Sequence, residues 1–207
     1  SMKRLLMFFC FVTVSFSFAQ TNSVEENYTK KEVYIPMRDG TKLFTIIYTP
    51  KDISKSNKYP FIMNRTCYSI APYGETNFRK KLSPNKFIEN EKYIFVFQDV
   101  RGRYMSEGTY TNMTPQVDHK TKKDVDESTD TYDTVDWMVK NVQNNNGKVG
   151  QYGTSYPGFY TAVGTLANHP ALVASSPQAP ISDFWFDDFH HNGAFLMSYF
   201  KTFPVFG

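Results

Sequence analysis

Cysteine is almost missing from this chain, and the shortage excludes two kinds of chemistry at once. Cys10 and Cys67 are the only two among 207 residues, too few for a disulfide framework or a thiolate metal cluster. An excess of one charge is lacking as well. Lys and Arg number 23 against 20 Asp and Glu, a net charge of +3, and so balanced a composition implies no basic face for nucleic acid. Beyond the first twenty residues no apolar run is long enough to span a bilayer, so no stable membrane anchor is expected. The four histidines show no metal-ligand spacing, and the chain has no internal repeat or low-complexity tract. What it does have is apolar and aromatic weight. Hydrophobic residues make up 41% and aromatics 17%, with 19 Phe and 14 Tyr, a composition that can offset chain entropy and build a core.

The N-terminus reads apart from the rest. Lys3 and Arg4 precede an apolar run from Leu5 to Phe18 that ends at Ala19-Gln20. This is the order of a secretory signal peptide, with small residues Ser17 and Ala19 before the expected cut. Residues 1–19 are therefore expected to direct export to the periplasm or the exterior and to be removed with Cys10. Cys67 would remain as a single thiol, expected to be buried and reduced.

From Glu26 onward, short β-type runs alternate with turns and then helices. Lys31–Pro36 and Lys42–Tyr48 flank Arg38-Asp39-Gly40 and read as a hairpin. Pro60–Asn64 and Tyr93–Phe97 read as buried strands, with an amphipathic piece around Phe78–Glu89 between them. Continuous apolar runs separated by helices suggest a mostly parallel sheet covered on both faces, an α/β fold. Gln116–Glu127, dense in Asp and Lys, reads as a solvated loop. The helix after it carries Tyr132, Val135, Met138, Val139 and Val142 at helical spacing, with Ser128 or Thr129 as its cap.

Next comes a strand, Lys148–Gly153, running directly into Thr154-Ser155-Tyr156-Pro157-Gly158 and a helix from about Tyr156 to Asn168. A serine between a strand end and a helix start sits on a tight turn, with its hydroxyl projecting over the sheet edge and backbone N–H groups pointing at whatever it attacks. From context alone, a helix-capping serine would read the same way.

Six stretches bear a resemblance that separates these readings. Met37–Leu43, Asn64–Tyr68, Gln98–Gly108, Asp130–Asn141, Gly153–Gly158 and Asp187–Phe195, in that order, resemble the α-amino acid ester hydrolases and glutaryl-cephalosporin acylases of the cocaine-esterase and X-prolyl dipeptidyl peptidase family. The resemblance implies an α/β-hydrolase fold with Ser155 as nucleophile. It implies that the Tyr156 backbone N–H and the Tyr68 hydroxyl form the oxyanion hole. It implies also that Asp188 belongs to a carboxylate cluster receiving the α-ammonium group of the substrate. Relatives usually carry proline where this chain has Cys67. Asp99, Arg101 and Glu107 are expected to shape the loop after the fourth strand.

The expected activity is that of a secreted serine hydrolase cleaving small-molecule esters or amides through an acyl-enzyme, without cofactor or metal. An X-prolyl dipeptidyl aminopeptidase is the second reading, and a non-catalytic remnant or binding module is the alternative of another class. In this fold the triad acid and histidine follow the nucleophile. After Ser155 only one more strand, Leu172–Ser176, and an aromatic stretch resembling the start of a helical cap remain, and His190 and His191 match no catalytic histidine. Residues 20–183 are thus expected to be the N-terminal part of a hydrolase domain and 184–207 the beginning of its cap, with a homo-oligomer left open.

Overall fold

The computed structural model describes residues 23–119 and 121–198. The expected signal peptide and the aromatic residues from Tyr199 to Phe206 lie outside them.

A single helical turn, α1 (Val24–Asn27), leads into strands β1 (Tyr28–Pro36) and β2 (Lys42–Pro50), which pair antiparallel. The reversal between them is set by Asp39, whose carboxylate accepts the Thr41 N–H at 3.1 Å, with Gly40 at φ 88°. Strands β3 (Tyr59–Thr66), β4 (Ile94–Asp99), β5 (Asn145–Thr154) and β6 (Leu172–Gln178) complete a six-stranded sheet in the order β1-β2-β4-β3-β5-β6. The β2–β4 pair is antiparallel, and the β4–β3, β3–β5 and β5–β6 pairs are parallel.

Alternation along the strands sorts the apolar residues onto two faces. Leu43, Ile47, Phe61, Met63, Ile94, Val96 and Val149 pack with Val135 and Met138 of helix α3 (Glu127–Asn141). On the opposite face Phe44, Ile46, Tyr48, Phe95 and Phe97 pack with Ile70 and Leu82. That second cover is mostly irregular. The amphipathic piece expected around Phe78–Glu89 is helical only over α2 (Lys86–Asn90), because Pro84 precedes a capping Asn85 whose side chain accepts the Phe87 N–H. Helix α4 (Tyr156–Thr165) follows β5 and packs beside α3. The described chain closes with a π-helical turn, Phe184–Phe189, and a hairpin of β7 (His190–His191) and β8 (Ala194–Phe195).

One sequence reading needs correction. The Gln116–Glu127 stretch is not wholly solvated, since Asp126 and Glu127 are buried. Asp126, rather than Ser128 or Thr129, is the N-cap of α3, and it forms a reciprocal box with Thr129 at 2.9 Å in each direction. Its other oxygen accepts the Val117 N–H and contacts the His119 ring. Burial pushes this carboxyl up, but the Ser128 hydroxyl, the Thr129 and Val117 N–H groups and His119 together outweigh it, so Asp126 titrates below the usual carboxylate range.

Glu127 and Asp130 are buried because a cation from the sheet meets them. Arg65, on the same face of β3 as Phe61 and Met63, is itself buried. Its guanidinium donates to Gln98 Oε1 at 2.7 Å, to the Glu127 carbonyl at 3.1 Å and to Thr131 Oγ1 at 3.0 Å. It lies 3.0 Å from the Glu127 carboxylate and 3.9 Å from that of Asp130. Asp130 also pairs with Arg101 at 2.7 Å, and Arg101 with Asp39 at 2.6 Å, which ties the hairpin turn to the helix.

Two outcomes follow for stability. Arg65→Met should lose about 3–5 kcal/mol, because Glu127 is left buried without its cation. The urea midpoint should show this at unchanged m, and Arg65→Met combined with Glu127→Gln should recover part of the loss. Asp126 has a depressed folded pKa, so its contribution is present above the unfolded value near ~3.9 and disappears as the pH falls through the folded value. The stability gap between wild type and Asp126→Asn should therefore narrow between about pH 5 and pH 2 in acid titrations followed by circular dichroism.

Candidate active site

Strand β5 ends at Thr154, and α4 begins two residues later. Ser155 between them has φ 63° and ψ −121°, a conformation that costs a non-glycine residue on the order of 1–3 kcal/mol. The surrounding contacts hold it there. Ser155 N–H donates to the Gln178 carbonyl at the end of β6 at 2.9 Å, and the Ser155 carbonyl accepts the Phe159 N–H at 3.0 Å. The approach is so close that side chains are excluded: a Cβ on Gly153 would fall 2.1 Å from the Pro157 carbonyl oxygen, and one on Gly158 would fall 2.4 Å from that of Gln178. Ser155 stands at the N-cap position, yet its hydroxyl makes no capping bond. The capping alternative therefore does not describe this serine.

Tyr156 opens α4, and the first N–H groups of a helix have no acceptor within it. Its own side chain is buried. The ring of Tyr68 meets that of Tyr156 edge-on, with centroids 6.0 Å apart and planes at 81°. Tyr68 is 39% exposed, and burial, followed by the proximity of Cys67 and Tyr156, pushes its hydroxyl up to about 12. A phenol in that state is a proton donor at neutral pH. The fold thus brings Ser155, Tyr156 and Tyr68 together at the ends of β3 and β5.

Asp188 sits elsewhere in the chain, half-buried on the Phe184–Phe189 turn. That turn is reached by the short 179–183 link from Gln178, the residue bonded to the elbow. His190 of the adjoining hairpin stacks on Trp185 at 3.5 Å. Among the described residues, no histidine is hydrogen-bonded to Ser155. His119 meets Asp126, while His169 packs against Tyr132 and accepts the Ala171 N–H. No described group of His, Cys, Asp and Glu could hold a metal ion.

The supporting residues behave largely as read. Asp99 is buried and accepts the Ile70 N–H at 3.0 Å and the Tyr73 hydroxyl at 2.8 Å, and burial pushes its carboxyl up. Glu107 accepts the Lys42 N–H at 2.9 Å. Cys67 is a buried free thiol that burial pushes up. Sequence reasoning missed Gln178, which anchors the elbow through its backbone, and the loop residues Arg103, Tyr110, Asn112 and Met113. The second arginine of Arg101-Gly102-Arg103 was the available signal, since nothing in composition explains two arginines in a tight turn.

Comparison with known proteins bears on the family and the fold. Residues 39–204 match the family model described as X-Pro dipeptidyl-peptidase (S15 family). Cocaine esterase of Rhodococcus sp. (strain MB1 Bresler) is 28% identical over 166 residues, covering 78% of this chain and 25% of its own length. A solved α-amino acid ester hydrolase superposes with a TM-score of 0.72 at 41% identity, over 86% of this chain and 29% of that one. An aminopeptidase from a marine sediment Thaumarchaeota archaeon gives 0.69, also at 41% identity, over 82% of this chain and 28% of its own. The chain spans about a quarter of the length of the curated relatives it matches, and within that span it has the mostly parallel sheet of an α/β-hydrolase. With a match running from the β1–β2 turn past the elbow to the last described strand, the chain belongs to the X-Pro dipeptidyl-peptidase (S15) family.

Proposed function

We propose that the protein carrying this chain is an exported serine hydrolase that cleaves esters or amides through an acyl-enzyme on Ser155. The observation that supports it best is the strained elbow. A serine is held at φ 63° by excluded side chains on both sides, and its hydroxyl takes no part in capping.

In this reading the Ser155 oxygen adds to the substrate carbonyl and gives up its proton to a general base. The resulting oxyanion is met by the Tyr156 N–H and the Tyr68 hydroxyl. The tetrahedral species then expels the alcohol or amine, which takes up the proton, and water releases the acid by the same route in reverse. The match takes in only 25% of the Rhodococcus relative's length, and the base and its acid partner are expected in the part of such a protein that lies outside the match. An export signal at 1–19 fits a hydrolase of external small molecules.

Two solved relatives at equal identity are an α-amino acid ester hydrolase and an aminopeptidase. Both names imply substrates with a free α-ammonium group, and Asp188 is the carboxylate expected to receive it. The ester-hydrolase reading is preferred because Asp187-Asp188 matches that branch. X-prolyl dipeptide release remains the second reading, supported by the family description.

The nucleophile is tested by fluorophosphonate labelling of the full-length protein. Wild type should be labelled and Ser155→Ala should not, and persistent labelling of the variant would place the nucleophile elsewhere. Tyr68→Phe should lower kcat by about 100- to 1,000-fold, the usual loss for one oxyanion donor, with little change in KM.

Substrate choice is tested at Asp188. In Asp188→Asn, kcat/KM for phenylglycine methyl ester should drop by ~10-fold or more, while its des-amino analogue phenylacetic acid methyl ester is nearly unaffected. Equal losses for both would assign Asp188 to the support of its turn. Release of 4-nitroaniline from a Gly-Pro anilide at a higher kcat/KM than either ester would favour the aminopeptidase.

A further inference from the structure

We infer that Tyr110 and Arg103 are positioning residues that hold the two expected oxyanion donors, the Tyr68 hydroxyl and the Tyr156 N–H, at one fixed separation. The inference rests on the reading of Ser155 as nucleophile given above.

The two donors belong to different parts of the fold. Tyr156 begins α4, and Tyr68 lies on the irregular segment after β3. Their rings touch edge-on, and the loop after β4 adds further contacts to both residues.

The Tyr156 hydroxyl is a hub for that loop. It donates to the side-chain oxygen of Asn112, accepts the Tyr110 hydroxyl proton at 2.7 Å and accepts the Met113 N–H at 2.8 Å. The Tyr110 ring in turn carries the Arg103 guanidinium over its face, 4.8 Å from the centroid. Arg103 Nε donates to the Cys67 carbonyl at 3.1 Å, the carbonyl of the peptide that bears the Tyr68 N–H. Tyr68 N–H donates to Thr66 Oγ1 at 3.0 Å, which fixes that peptide from its other side.

The contacts therefore close a ring. It runs from Tyr68 across the aromatic contact to Tyr156, through the hydroxyls to Tyr110, across the cation–π contact to Arg103, and through the Cys67 carbonyl back to Tyr68. The loop itself is compact where it feeds this ring. Gly102, at φ 70°, packs so close that a Cβ there would fall 2.1 Å from the Tyr110 nitrogen. A closed ring resists displacement at any one member, because moving Tyr68 away from Tyr156 breaks either the cation–π contact or the Arg103 bond. The Arg103 bond to the Cys67 carbonyl thus restrains the backbone directly ahead of Tyr68.

Neither Arg103 nor Tyr110 needs to touch substrate for this. The ring acts on where the oxyanion is met, so it should influence the transition state and leave ground-state binding alone.

The test uses Tyr110→Phe and Arg103→Met in the full-length protein, with active sites counted by fluorophosphonate titration. For p-nitrophenyl acetate, kcat per active site should fall about 10- to 100-fold in each variant, as expected for a donor misplaced by a fraction of an ångström. KM should change by less than about twofold, and binding of a phenylboronic acid, which mimics the tetrahedral state, should weaken in proportion to kcat. The double variant should lose little more than either single one, since opening a ring twice has no further effect. Unchanged kcat, or losses that appear equally in kcat/KM and in the titrated fraction of active sites, would overturn the inference.

A second measurement does not depend on turnover. With 3-fluorotyrosine placed at position 68, the 19F resonance should broaden or split in both variants and stay sharp in a Tyr34→Phe control. A sharp, unshifted resonance in the variants would overturn the inference even where rates fall. If wild type shows no Ser155-dependent hydrolysis, the proposed function falls, and the resonance at position 68 alone decides whether the ring positions Tyr68.

Discussion

A single guanidinium, that of Arg65, joins the sheet to the helices that build the site. It is carried by β3, accepts no water-facing role, and satisfies acceptors on β4 and α3 at once. Its partners then pass the constraint on. Gln98 donates to Thr45 on β2 and Thr134 on α3. Thr131, which bonds Arg65, lies against Gly164 of α4, 3.0 Å from where a Cβ would stand. Burying this charge is justified only while Glu127 and Asp130 face it, and those two carboxylates are held in place by the Asp126 box that starts α3. The polar layer thus sets the helix start, and through α3 the seat of α4.

That arrangement explains how the elbow can stay strained. A backbone at φ 63° on serine persists only where its neighbours over-determine it. Here four contacts do so: the Gln178 carbonyl from β6, the first helical bond to Phe159, and the Pro157–Gly153 and Gln178–Gly158 approaches. Each depends on α4 being pressed against β5 and β6, which is where α3 and Thr131 hold it. Stability supplied by the polar layer at one end of the sheet is in this way used to hold an unfavourable torsion at the site.

Much of this was legible in the sequence, for reasons that differ from residue to residue. The strands were legible because Phe61, Met63, Ile94 and Val96 form continuous apolar runs bounded by turn residues. The elbow was legible because a glycine-rich strand end ran straight into a proline-containing helix start. The hairpin turn was legible from Asp39-Gly40. The start of α3 is hidden in the sequence because charge there reads as exposure: Asp126 and Glu127 stand in a Lys- and Asp-rich run, and what makes them buried is the set of partners they meet, Val117, His119 and the first turn of α3 for Asp126 and Arg65 of β3 for Glu127. Arg65 posed the same difficulty, since a charged residue at the end of an apolar strand does not announce a partner 62 residues away. The helix expected around Phe78–Glu89 is shortened because side chains meet that segment's backbone N–H groups: the Tyr48 hydroxyl accepts from Arg79 at 3.3 Å, and the Glu89 carboxylate accepts from Leu82 and Ser83 at 2.6 and 3.2 Å.

The residue at position 67 shows how local rules and tertiary contacts can substitute for each other. Proline would fix φ and remove a donor ahead of Tyr68, restricting the loop through its own covalent geometry. Cysteine does neither. Its thiol instead fills a buried space among Val100, Tyr156 and Tyr160, while its carbonyl takes the Arg103 bond. Restraint is moved from the backbone of one residue to an arginine on another loop, and that loop is already tied to α3 through Arg101 and Asp130 and to the start of β2 through Glu107 and Lys42. A restraint of the first kind is independent of its surroundings, whereas one of the second kind holds only while the loop after β4 is in place. Geometry at Tyr68 is therefore coupled in this chain to the same buried charges that seat α3, so the polar layer reaches the site by two routes, one through α4 to Ser155 and Tyr156 and the other through Arg101 and Arg103 to Tyr68.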